Sequence, residues 1–124
     1  LVGSEMCIRD IFTGVLSNNK LYDIVSQALA LVLPTHYEGF GIPPLESLYL
    51  GGNAIITDLP VLREVYSELP VVFFKDGDIK ALADWLVVRP QLNTDIMQTR
   101  QYIESHYSFD LVVEKIIRVI ENGY

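Results

Sequence analysis

Two glutamates, Glu38 and Glu46, stand with seven residues between them in the stretch PTHYEGFGIPPLESLYLGG, residues 34–52. A carboxylate accepts two hydroxyl hydrogen bonds at once, as the 2′,3′-diol of a ribose would offer, and it stabilises positive charge developing on a nearby carbon. Gly39 and Gly41 let the backbone turn sharply and approach a ligand with no Cβ in the way. Pro43 has the backbone angle favoured in a first helical turn and brings no N–H that needs a partner. The backbone donors of Gly39, Phe40, Gly41 and Ile42 would then face the same place and, with the positive end of a helix dipole, form an anion site. The dipole alone contributes about 0.3–1 kcal/mol when exposed and up to ~2 when partly buried, so it orients a phosphate and does not hold one unaided.

Glu46, about one helical turn after Pro43, can point back toward the same crevice. The set fits a ligand with a sugar, a diphosphate and a ribose, with Glu38 beside the sugar and Glu46 on the ribose. The spacing equally allows a plainer reading, in which a glycine-proline loop merely opens a helix and Glu46 is a solvated helix residue.

The elements that must position these residues follow from periodicity. DIFTGVLS, from Asp10, reads as a strand ending in a turn, and NNKLYDIVSQA as a helix with Leu21, Ile24, Val25 and Ala28 on one face, capped by Ser17 or Asn18. Residues 29–34, LALVLP, are continuously apolar and predict a strand buried on both faces. After the glutamate loop, a helix is expected from about Pro43 to Leu50, ending at Gly51-Gly52. The pattern then repeats: NAIITD a strand, LPVLREVYSE a short helix, VVFFK a strand, DIKALADWLVV a helix. The tail from Gln91 reads as two helices with a break near residues 106–108. Strands alternating with helices of this length predict right-handed crossovers and an α/β fold, a parallel sheet with helices on both faces. In such sheets ligands sit beyond the carboxyl ends of the strands, which puts Glu38 at the rim of the crevice.

The totals exclude several classes. At 124 residues the chain supports one unit with a real core. A net charge of -7 argues against a sequence-independent grip on nucleic acid and against an anionic membrane surface. The longest apolar run, residues 28–33, falls far short of the roughly 20 residues of a membrane span. The single cysteine, Cys7, forms no intrachain disulfide, which fits a reducing compartment. The run SEMCIRD looks like a peptide translated from sequencing-adapter DNA, so residues 1–9 are expected to be a poorly packed, non-native leader. The alternative is an edge strand beginning at Met6. Asp76-Gly77-Asp78 precedes a helix, where turn and N-cap chemistry explain it better than a metal. His36 reads as a polar loop residue, Arg63-Glu64 as a surface pair and Trp85 as core.

The stretch LPTHYEGFGIPPLESLYLGGNAIITDLPVLREV resembles the donor-binding half of retaining glycosyltransferases of the GT-B fold, the glycosyl transferases group 1, whose signature is two glutamates separated by seven residues. The resemblance runs from about Ile11 to the C-terminus and is most specific over residues 34–65. It implies that Glu38 lies against the donor sugar near the reacting carbon. Gly39, Phe40, Gly41 and Ile42 would contact the sugar and diphosphate through their backbone, and Glu46 would bind the ribose hydroxyls. The implied reaction moves a hexose from a UDP-sugar or GDP-sugar to an acceptor hydroxyl with retention, without a bound metal or cofactor. PVLREV is reminiscent of bacterial polysaccharide mannosyltransferases, a hint toward GDP-mannose.

Such enzymes have two Rossmann-like domains. Residues 10–124 match only the second half of the C-terminal one, without the family's basic residues for the diphosphate. None of the nine Lys and Arg residues lies within residues 35–46. The chain is therefore expected to be a fragment, inactive by itself, of a cytoplasmic enzyme. The acceptor, a glycan or lipid-linked sugar, and any membrane contact would be handled by the missing part. A competing expectation is a non-catalytic nucleotide-binding or interaction module that kept the loop and pairs through an exposed sheet edge.

Overall fold

Three short apolar runs form a parallel sheet in the order β1-β2-β3: β1 (Leu31–Leu33), β2 (Ala54–Thr57) and β3 (Val71–Phe74). The computed structural model describes residues 11–88, 92 and 95–122. Six helices accompany the sheet: α1 (Asn18–Gln27), α2 (Ile42–Tyr49), α3 (Pro60–Tyr66), α4 (Ile79–Val88), α5 (Ile96–Tyr107) and α6 (Phe109–Asn122). The leader expected at residues 1–9 lies outside the described residues.

Leu31 pairs with Ala54 and Leu33 with Ile56, while Ala54 pairs with Val71 and Thr57 with Phe74. The period of two sends alternate side chains of β2 to opposite faces. Ala54 and Ile56 join Leu45, Leu48, Leu62, Val65, Tyr66 and Leu69 in the larger core, under α2 and α3. Ile55, Val72 and Phe74 form the smaller one, against which Leu82, Trp85 and Leu86 of α4 pack. Helices therefore cover both faces, as the alternation of elements implied, and Trp85 lies half-buried against the smaller core. The tail breaks at Ser108, between α5 and α6.

Two expectations fail at the start of the chain. Residues 11–17 form no strand, and Ile11, Phe12 and Val15 are almost fully exposed. Apolar content alone does not make a strand, since the extended backbone needs a ladder partner for its N–H and C=O groups. For the same reason Leu31–Leu33 is half-buried and not buried on both faces: β1 is the sheet's edge among the described residues. α1 has the expected extent, but no residue of it is buried, and Ser17 occupies the N-cap position without a side-chain hydrogen bond.

Candidate functional site

The glutamate loop runs from the carboxyl end of β1 into α2. Thr35 closes its first turn: its hydroxyl donates to the Tyr37 carbonyl (2.7 Å) and accepts from the Tyr37 N–H (3.3 Å). Glu38 follows, half-buried, with Oε1 accepting from the Gly39 N–H at 2.9 Å. Gly39 is thus not a free donor, as the sequence had led us to expect; it is held by the neighbouring carboxylate. Phe40 packs edge-on against Tyr107 of α5, with ring centroids 5.6 Å apart.

Gly41 is the N-cap of α2 and sits in the left-handed region at φ 79. A Cβ there would lie 2.9 Å from Cδ2 of Leu62 and 3.6 Å from Cγ of Glu38, so only glycine lets the loop lie this close to α3. Ile42 is the first helical residue, and Pro43 and Pro44 follow it. The two prolines leave Ile42 as the one N–H donor among the first three helical positions, a narrower anion site than a helix terminus ordinarily offers.

The cap that Gly41 cannot supply comes from α3. The phenol of Tyr66 donates to the Gly41 carbonyl, and the Leu45 N–H bonds to the phenol oxygen. Tyr66 has no solvent exposure. Burial pushes its phenol far above the ordinary range, so it remains a donor at any working pH. Tyr107 braces the same region, its hydroxyl donating to the Val65 carbonyl at 2.7 Å, and burial raises its phenol as well.

Glu46 lies one turn into α2 with its side chain exposed. It lines an open cleft of about 380 Å³ together with Tyr22, Ile42, Leu45 and Tyr49, and a neighbouring one of about 200 Å³ with Tyr22, Val25, Leu31 and Pro43. Glu46 and Ile42 therefore share one cleft, while Glu38 sits with Gly41 and Leu62 beyond the end of β1. A cleft of about 410 Å³ lies between Ser67–Pro70 and the start of α5, and it includes none of these residues. Size alone does not make it the site. The convergence of the loop residues at the carboxyl ends of the strands carries more chemical weight.

Comparison with known proteins supplies the family. The family model for glycosyl transferases group 1 matches residues 9–86. The chain belongs to that family. It is 32% identical over 110 residues to the O-antigen chain mannosyltransferase RfbU of Salmonella typhimurium, covering 89% of this chain and 31% of that protein. It is also 33% identical over 79 residues to the serotype-specific mannosyltransferase WbdA of Escherichia coli, covering 61% of this chain and 10% of that protein. The chain thus spans about a third or less of the length of these curated relatives.

For a group 1 glycosyl transferase chain, the rim of the sheet holds further polar contacts that the sequence did not disclose. Arg63 does not pair with Glu64; its guanidinium forks onto Asp58 at 2.6 and 2.8 Å and lies over the Phe73 ring. His36 Nδ1 lies 2.6 Å from Asp76 Oδ1. Asp78 accepts from the Ala81 N–H at 2.9 Å and so caps α4, as its place before a helix suggested. Among the described residues no group of three or more His, Cys, Asp or Glu could hold a metal, and no helix is long and apolar enough to cross a membrane.

Proposed function

We propose that this chain carries the donor site of a retaining hexosyltransferase, acting within a protein of the length of its relatives. The donor is a nucleotide diphosphate sugar, with GDP-mannose favoured by the names of the relatives. Glu38 faces the sugar near the reacting carbon. The backbone of Phe40, Gly41 and Ile42 lines the path of the sugar and diphosphate, with Gly39 turned toward Glu38. Glu46 accepts the two ribose hydroxyls. The acceptor, a glycan or lipid-linked sugar, and the cations that neutralise the diphosphate come from outside residues 10–124, and no metal or cofactor takes part.

The observation that carries the reading is the Gly41 turn. It places a half-buried carboxylate at the carboxyl end of β1 and a second, exposed carboxylate one helical turn further on, beside an open cleft. In a chain of this family that pairing suits a sugar at one end of the ligand and a ribose at the other.

The test is mannosyl transfer from GDP-mannose by the whole protein, with the anomeric configuration of the product read by NMR. Retention, with loss of about two or more orders of magnitude in rate for Glu38→Ala, is expected for a charge-stabilising group at the reacting carbon. Glu46→Ala should chiefly raise KM for the donor, because ribose binding is shared by ground and transition states. Inversion of configuration, or full activity in Glu38→Ala, would refute the assignment.

A second reading is favoured by one observation. Among the described residues β1 is an edge, and Leu21, Tyr22, Ile24 and Leu29, which precede it in the chain, are between 41% and 49% exposed. An interaction module that kept the loop would pair through this surface. A monomer in sedimentation at high concentration would count against that reading.

A further inference from the structure

We propose that His36 is a positioning residue of the site, and that its contact with Asp76 is a latch tying the Glu38 loop to the turn between β3 and α4. The two residues are 40 positions apart and belong to loops that leave β1 and β3, strands that are not neighbours. Adjacent strands lie about 4.8 Å apart, so these two ends are separated by roughly 10 Å with β2 between them. A 2.6 Å contact across that gap requires both loops to lean over the end of β2. Beneath the span, the Asp58 N–H extends the ladder to the Phe74 carbonyl at 2.7 Å, so the base on which the latch rests is tied to the sheet.

Each end of the latch is built for it. In Asp76-Gly77-Asp78 the second aspartate caps α4, and Gly77 at φ 77 lets the Asp78 N–H reach the Lys75 carbonyl at 2.9 Å. That turn leaves Asp76 at its outer corner, facing His36. On the other side, His36 is the middle residue of the turn that Thr35 closes, and Glu38 leaves that turn directly. Glu38 is therefore held from two directions, by the His36–Asp76 contact before it and by Gly41 against Leu62 and Tyr66 after it.

The pair is exposed, its side chains 81% and 44% accessible, and exposed pairs contribute little to stability. Its effect is therefore on where the loop rests, and the fold does not depend on it. The role rests on the donor-site reading in one respect, that Glu38 faces a ligand.

The experiment uses the ¹⁵N-labelled 124-residue chain with Asp76→Leu, which keeps the bulk and removes the acceptor, and Asp76→Asn, which keeps an acceptor oxygen. Without ligand, Asp76→Leu should displace the amide signals of Thr35 to Gly39, 37 or more positions away in sequence, and Asp76→Asn should restore them, with the unfolding midpoint almost unchanged in both. In titrations with GDP and UDP, Asp76→Leu should weaken the nucleotide that the wild type binds by up to about fivefold, the scale of one surface ion pair. Unmoved loop amides, equal displacement by Asn and Leu, or unchanged affinity beside displaced amides would each overturn the latch. GDP or UDP shifts centred away from residues 38–46 in the wild type would defeat the donor-site reading instead, and the ligand-free signals would still uphold or overturn the latch by themselves.

Discussion

α1 and α2 border the same cleft beside β1, and they differ in what covers them. Within its eight residues α2 buries Pro44, Leu45, Ser47 and Leu48, whereas α1, with ten, buries none. Leu48 has no exposed surface, while Leu21, Tyr22 and Ile24 of α1 are 41%, 42% and 49% exposed. Both helices carry apolar residues at helical spacing, so amphipathic pattern is common to the two. The difference lies in the sheet: α2 packs over β1 and β2, which are paired, whereas α1 borders a cleft shared with β1, the strand that is an edge among the described residues. A helical stripe states which face needs cover, and a neighbouring strand decides whether the cover exists.

The largest effect that would sharpen this contrast comes from truncating the covered helix. Leu48→Ala should cost about 2–5 kcal/mol in urea unfolding, as buried leucines do, while Leu21→Ala on α1 should stay within roughly 0.5 kcal/mol. Equal losses would mean that α1 is packed in solution. Gly41→Ala should come next: the left-handed backbone alone costs about 1–2 kcal/mol, and Cδ2 of Leu62 must also give way. Wild-type stability for that variant would show that the loop is not pressed against α3.

Tyr66→Phe should cost about 1–3 kcal/mol, since the variant leaves the Gly41 carbonyl without its buried donor. The amides of residues 39–45 should shift, whereas those of α1 should not. The smallest effect concerns pH. The hydrogen bonds from Arg63, and then its charge, hold the Asp58 carboxyl below the ordinary carboxylate range. Its contribution to stability is therefore fully present above the unfolded value of about 3.9 and is lost as pH falls through the lower folded value. Because both side chains are well exposed, the contribution is small. Arg63→Ala should flatten the stability curve below about pH 4, and an unchanged slope there would contradict the assignment.

Much of the scaffold was legible because it is local. The continuous run 54–57, bounded by glycine and aspartate, read as a buried strand and the run 71–74, after a proline, as a further strand, and the break at Ser108 followed from the lapse of helical pattern. Glu38 and Glu46 were placed by the same logic, as a loop after a strand and a residue one turn into a helix. Residues 11–17 misled because apolar composition does not carry information about a ladder partner. The contacts that fix the loop were illegible for a different reason: Tyr66 to Gly41, Tyr107 to Val65 and His36 to Asp76 join residues 25, 42 and 40 positions apart. Periodicity put Tyr66 on a short helix, but it could not indicate that the side chain would be buried or what its hydroxyl would meet.

The central claim, that the loop after β1 and Glu46 together hold a nucleotide sugar, is tested most directly by titrating GDP, UDP and their sugars into the labelled chain and into Glu46→Ala. The account predicts shifts concentrated in the amides of residues 39–42, stronger for one base. Glu46→Ala should weaken binding by about tenfold or more, the scale of hydrogen bonds to a charged group. Shifts centred on the cleft between Ser67–Pro70 and α5, or affinity unchanged in Glu46→Ala, would contradict it.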